Sequence, residues 1–361
     1  MLWREGETWC IVMLSENLIF FSPFYFFPPL YYTLHIAFVG EGNYQNLQVS
    51  SRTDRGVHAL KNTFHVDLRE RLLSNVEGTT STISTPLQLK EKTKLTLHPL
   101  TIQHALNFYL RSPQTKQKGC SSTRTRNYRE NGNDIRVLTV VPAPLQHTYY
   151  YRAQGYTPSS CRADTTTTPY YVGEWNARFT ATQRRYVYRI LTGYNATEGF
   201  NTLVPFEWDR AWFIPRRSGA NELDTSLMQE AANYLIGTQD FTSFRGKNCQ
   251  RSSPITTISE LTIYEDNNYF PSSYVGYSSS ELQEQHSHQS LRLITISVTG
   301  TSFLYRQVRN IVGCLVYVGQ GRVTPLEVQR ILQDKNRNIA PPTAPAHALF
   351  LVDVKHEGLT I

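Results

Sequence analysis

Residues 50–60 read Ser-Ser-Arg-Thr-Asp-Arg-Gly-Val-His-Ala-Leu, setting one carboxylate, Asp54, between two arginines and ahead of a glycine and a histidine. Three kinds of chemistry use a carboxylate so placed. As a metal ligand it would pair with His58 across a helical turn, but Gly56 intervenes and no third ligand is near, so no metal is expected. As a turn residue it would accept hydrogen bonds from local backbone in a turn closed by Gly56. As a nucleophile it must stay ionised while partly desolvated, which burial opposes and a nearby arginine favours. Side chains two apart on an extended chain share a side, so Arg52 rather than Arg55 is the local candidate, and a distant arginine would serve as well. Carboxylates with this role act at glycosidic carbons, where they capture or stabilise oxocarbenium-like character. The residues alone leave the turn and the nucleophile both open.

The chain that carries this stretch has 361 residues, room for about two domains. Its net charge of +7 is uneven. Residues 1–45 hold Arg4 against Glu5, Glu7, Glu16 and Glu41, which leaves 35 basic against 25 acidic residues, net +10, in 46–361. A basic body with 22 Tyr and 17 Phe suits a nucleic-acid partner, since cations meet phosphates and rings stack on unpaired bases. The plainer reading is a solvated basic surface. Cys10, Cys120, Cys161, Cys249 and Cys314 are odd in number and never form a C-x-x-C pair. That spacing argues against a disulfide framework or a zinc site and for a reducing, intracellular compartment, without separating mitochondrion from cytoplasm or nucleus. Residues 18–40 are long and apolar enough to span a bilayer, but Pro23, Pro28 and Pro29 would break a helix there, so no membrane association is expected.

The elements that must position Asp54 are legible mostly beyond residue 173. Residues 111–133 and 264–289 are polar and read as surface insertions; 149–173, with its threonine run, reads as a low-complexity loop at the boundary between two halves. Residues 184–191 alternate as a strand, with Tyr186, Tyr188 and Ile190 on one face and Arg185, Val187 and Arg189 on the other. Asp224 reads as the N-cap of a helix with Leu227, Met228, Ala231, Ala232 and Leu235 on one face and Gly237 as its stop. A strand with Ile294, Ile296 and Val298 on one face runs through Gly300 toward a helix striped by Leu304, Val308, Ile311, Val312 and Leu315. Arg306, Arg309 and Asn310 interrupt that stripe near its start. A last helix opens on the capping box Thr324-Pro325-Leu326-Glu327. The pattern predicts an α+β fold whose sheet is covered on one face and open to a large ligand on the other.

The stretch at 50–60 resembles the motif G-R-T-D-x-G-V-H-A of the TruA family of tRNA pseudouridine synthases. Four further stretches match in family order: 176–190, 231–258, 303–313 and 340–354. The double serine, with ALNFYLRSP and SFLYRQVR, looks closest to the animal tRNA pseudouridine synthase-like branch. The resemblance implies a pseudouridine synthase fold of two similar α+β halves, 46–173 and 174–361, with a joined antiparallel sheet, a central basic cleft and often a homodimer. It implies isomerisation of uridine to pseudouridine in tRNA, at the anticodon stem-loop, with no cofactor. Asp54 would be the nucleophile and Arg309 its ion-pair partner. Tyr186 would pack against the target base, Arg52 would contact the RNA and help displace the nucleotide, and Arg185 would bind substrate. Tyr188 reads as structural. Ser51 and Arg55 depart from the glycine and small residue of the motif. Residues 1–45 match no part of the family's opening strand, loop and helix, and are expected to be an atypical segment, disordered or the product of a wrong first exon. The alternative function is an RNA-binding member that has lost activity with that opening.

Overall fold

The computed structural model describes residues 7–18, 44–68, 98–111, 135–143, 147–150, 170–173, 175–193, 207–215, 222–267, 269, 291–357 and 359. In chain order its elements are β1 (Glu7–Leu18), β2 (Tyr44–Val49), β3 (Val57–Leu68), α1 (Pro99–Arg111), β4 (Ile135–Pro142), β5 (His147–Tyr150), β6 (Tyr170–Gly173), β7 (Ala181–Thr192), β8 (Trp212–Phe213), α2 (Thr225–Asn233), β9 (Gly237–Asp240), β10 (Ile255–Asp266), β11 (Arg292–Gly300), α3 (Gln307–Gly319), α4 (Pro325–Gln333) and β12 (Leu349–His356). Among the described residues ten strands form one sheet in the order β4-β1-β3-β12-β7-β11-β10-β9, with β2 also on β3 and β8 on β7. The mixed α+β class expected from the pattern is therefore observed. No helix of the described residues is long and apolar enough to cross a membrane; residues 19–40 of the apolar stretch lie outside them.

The last strand is the centre of this sheet. β12 pairs in parallel with β3, Phe350 opposite His58, and antiparallel with β7, Leu351 opposite Tyr186, so the sheet expected to be antiparallel is mixed, with a parallel pair at the join. It therefore brings the Asp54 stretch, which leads into β3, alongside the tyrosines of β7. β7 alternates as its sequence predicts: Tyr186, Tyr188 and Ile190 are buried while Arg185 is exposed. In β11, Ile294, Ile296 and Val298 are fully buried.

Two helices start where their N-caps predict, but α2 ends at Asn233, and Gly237, expected to stop it, opens β9 instead. Asp224 accepts from the Ser226 and Leu227 amides at the start of α2, and Thr324 and Glu327 form both bonds of the capping box at α4. Met228, Ala231, Ala232 and Leu235 make the buried stripe, but Leu227 is 36% exposed because it lies about a quarter-turn away from that row. α2 packs on α3, α4 and β10. α3 is buried on nearly every face, as expected of a helix that is apolar all round; Leu304 precedes it and is buried as well.

Three expectations are corrected. The amino-terminal residues lack a recognisable motif, yet Glu7–Leu18 is an interior strand between β3 and β4. Its run Trp-Cys-Ile-Val-Met-Leu, free of Pro and Gly, suits a strand with neighbours on both sides. The polar stretch from residue 264 is strand as far as Asp266, because Glu265 accepts from Arg292 (2.6 Å to Nη2) instead of facing water alone. The stretch at 149–173 is not all loop: its ends pair, Tyr149 with Tyr171 and Tyr150 with Tyr170.

β3 also holds a pH-sensitive contact. His65 is buried edge-on to Trp175, and its Nδ1 accepts the Ala177 N–H at 3.0 Å. Burial pushes its pKa down to about 4, with Asp67 opposing. The unfolded chain therefore binds this proton more readily than the folded one. The stability tied to the neutral ring is complete above pH 6.5 and is lost as pH falls toward 4. Between pH 7 and pH 5 the loss should be about 2 kcal/mol. Urea unfolding at the two pH values should record it, and His65→Gln, which keeps an acceptor but no titration, should flatten the difference.

Candidate active site

Asp54 lies in the six-residue loop between Ser50 and β3. The loop turns at Gly56, whose φ of +80° is left-handed and favours glycine; the Val57 N–H closes the turn on the Asp54 carbonyl at 3.1 Å. The turn reading is thus true of the Asp54 backbone. Its side chain does something else.

The Asp54 carboxylate accepts from Arg309, Nη1 to Oδ2 2.8 Å, with side-chain exposures of 16% and 13%. The partner is the distant arginine on α3 that the resemblance implied. Arg309 is itself clamped, since its Nε–H donates to the Ala344 carbonyl at 2.8 Å and its carbonyl accepts the Ala344 N–H at 3.1 Å. This clamp depends on Gly313, one turn further along α3. Any Cβ there would collide with the Pro342 carbonyl oxygen, so glycine lets residues 342–344 run flat against the helix.

Tyr186 completes the group. Its phenol oxygen lies 2.7 Å from Ser51 Oγ, and its ring meets Phe303 edge-on at 5.3 Å. Burial raises the phenol pKa, the Ser51 hydrogen bond and the Arg184 charge lower it, and the charge of Asp54 raises it again. The charge of Asp54 therefore reaches Tyr186, while that of Arg309 reaches Tyr188. Tyr188, two residues along the same strand face, is fully buried and donates to the Pro345 carbonyl at 2.9 Å. Its structural reading holds.

Cations surround the loop. Arg52 is exposed beside Arg178, whose charge adds to partial burial in lowering the Arg52 pKa. Arg184 is buried, and burial is also the main cause lowering its pKa, with Arg178 and Arg251 contributing. Arg185 alternates onto the opposite face of β7 from Tyr186, so the structure does not bring it to this group. His58 turns away as well: its Nε2 faces the Asp209 and His347 carbonyls at 2.7 and 2.8 Å. Two acceptors require a proton on that nitrogen, which therefore cannot ligate a metal. Among the described residues no group of three or more His, Cys, Asp or Glu could hold a metal ion.

Sequence reasoning missed Arg184. It donates to the carbonyls of Ser50 (2.8 Å), Thr301 (2.6 Å), Ala181 (3.2 Å) and Arg178 (3.2 Å), tying the Asp54 loop to β7 and to the turn after β11. Arg184 and Arg185 stand side by side in the matched stretch 176–190, and strand alternation tells which one is buried. Arg184→Met should remove the partner of several carbonyls and cost on the order of 3 kcal/mol in urea unfolding. Arg185→Met, on the exposed face, should cost less than about 0.5 kcal/mol.

A largely buried aspartate–arginine pair with arginines around its loop is an arrangement suited to chemistry on a polyanionic substrate. Residues 231–357, which include Arg309, match the family model described as tRNA pseudouridine synthase. The chain is 30% identical over 313 residues to tRNA pseudouridine synthase A of Orientia tsutsugamushi (strain Ikeda), covering 86% of this chain and 85% of that one. It is 29% identical over 313 residues to tRNA pseudouridine synthase-like 1 of Homo sapiens, covering 86% and 75%. The chain belongs to the tRNA pseudouridine synthase family of isomerases.

Proposed function

We propose that the protein isomerises uridine to pseudouridine in tRNA, with Asp54 as the nucleophile. The observation that carries this reading is the Asp54–Arg309 pair, 2.8 Å apart and largely out of water, with Tyr186 alongside. The reaction breaks the bond from the uracil nitrogen to the ribose carbon and forms one from the ring carbon C5 to the same ribose carbon. The C5 proton leaves, and the freed nitrogen gains one. Nothing is oxidised or reduced, so a carboxylate and a route for one proton suffice. Asp54 acts at the ribose carbon or at the base, both electrophilic and both within the same nucleotide.

The target uridine must leave its stack, at a cost of a few kcal/mol. Stacking on Tyr186 and phosphate contacts from Arg52, Arg178 and Arg251 offset that cost. The sheet order supports the two-half architecture: β1 to β4 gather on one side of β12 and β7 to β11 on the other, with Asp54 near the join. The cleft would then run along that join. By the same resemblance the target lies in the anticodon stem-loop and the enzyme works as a homodimer.

Incubation with uridine-labelled tRNA and quantification of pseudouridine tests the reading. Product should form, and tRNA affinity should fall steeply with salt. Salt-sensitive binding without product would instead make the chain a silent RNA-binding member.

A further inference from the structure

We infer that Ser51 is a positioning residue for Tyr186: its hydroxyl docks the phenol and holds the ring at one angle against the reacting base. This rests on the reaction proposed at Asp54. The resemblance does not supply it, because the matching motif carries glycine at this position and has no side chain to offer.

The contact is built rather than incidental. Ser51 Oγ and the Tyr186 phenol oxygen are 2.7 Å apart and both residues are buried. The serine backbone is held from two sides. Asn62 Nδ2 donates to the Ser51 carbonyl at 3.0 Å, and Arg184 Nη2 donates to the preceding carbonyl, that of Ser50, at 2.8 Å. The Ser50 N–H donates to the Thr63 carbonyl at 2.9 Å, fastening the same segment to β3. At the other end Phe303 abuts the Tyr186 ring edge-on. The tyrosine is therefore fixed at its ring and at its tip.

A hydroxyl both donates and accepts, so Ser51 can stay bonded to the phenol whichever way the phenol proton points. With glycine or alanine at 51 the buried phenol would have to find its partner in the substrate or stay unpaired, which disfavours a single ring orientation. Asp54 is three residues further along the same anchored loop. One short segment thus sets both the carboxylate and the tyrosine.

The test compares pseudouridine formation by wild type, Ser51→Ala, Ser51→Thr, Tyr186→Phe and the Ser51→Ala/Tyr186→Phe double variant. Ser51→Ala should lower kcat about tenfold with KM for tRNA within about twofold, and Ser51→Thr, which keeps the hydroxyl, should recover most of it. In the Tyr186→Phe background the alanine change should cost less than about twofold, because its partner is already gone. Wild-type kcat for Ser51→Ala, or an equal loss with and without the phenol, overturns the inference. The Tyr186 13Cζ resonance, assigned with Tyr186→Phe, supplies a readout that needs no turnover. It should move in Ser51→Ala, and a resonance that stays put overturns the docking. A wild type that makes no pseudouridine defeats the proposed function instead, and the resonance still decides whether the two hydroxyls are bonded.

Discussion

Asp54→Asn is expected to reduce pseudouridine formation by at least ~10³-fold while tRNA affinity stays within about threefold. The substitution removes nucleophilicity and little else. Asparagine has the same shape, and its carbonyl oxygen can still accept from Arg309 Nη1, which reaches Asp54 Oδ2 at 2.8 Å. The loop is held by bonds that do not involve this side chain: Arg184 to Ser50, Asn62 to Ser51, and the Val57 amide to the Asp54 carbonyl. The arginines proposed to bind RNA keep their charges, and removing one negative charge from among them can only favour a polyanion. The experiment separates chemistry from binding: rates come from pseudouridine release under single-turnover conditions, and affinity from filter binding of the same tRNA. Turnover near the wild-type rate would remove Asp54 from the role of nucleophile.

The arrangement behind this expectation was legible in the sequence to an uneven degree. The Asp54–Arg309 pair joins residues 255 apart, a separation that spacing and periodicity do not bridge; the ordered motifs do. Period-two alternation identified the buried face of β7 but could not say that Tyr186 meets Ser51 while Tyr188 meets the Pro345 carbonyl. Alternation buries Arg184, but its partners are not legible because they are backbone carbonyls from separate segments, and a carbonyl leaves no mark on the residue type that carries it. The same limitation hid the part played by Gly313, which appears in sequence as one small residue in an apolar helix. β1 was overlooked for a different reason. Its apolar run is short beside the aromatic and proline-rich run that follows, and no motif announces it, although its pairing with both β3 and β4 is extensive. Glu265 shows the converse error: a charged, polar stretch reads as solvent-facing until a partner such as Arg292 is found.

Arg309→Met should lose as much activity as Asp54→Asn and, unlike it, should destabilise the fold. Arg309 connects two partners in a fixed fork, Nη1 to Asp54 and Nε to the Ala344 carbonyl, both at 2.8 Å. Methionine fills the volume but leaves a carboxylate that is only 16% exposed without its cation. Removing one member of such a pair costs more than the pair itself contributes, on the order of 3 kcal/mol, because the remaining charge is left poorly solvated. For a chain of this size that corresponds to a Tm lower by about 4 °C. Arg309→Lys restores charge, yet one ammonium cannot reproduce the fork, so it should recover part of the stability and little of the rate. The decisive variant is Asp54→Asn/Arg309→Met. With no carboxylate left to strand, its Tm should lie above that of Arg309→Met alone, a coupling that calorimetry on the four proteins measures directly. Additive losses in that cycle would mean that Arg309 stabilises the fold through Ala344 alone, and that the charge pair is not what holds Asp54 for reaction.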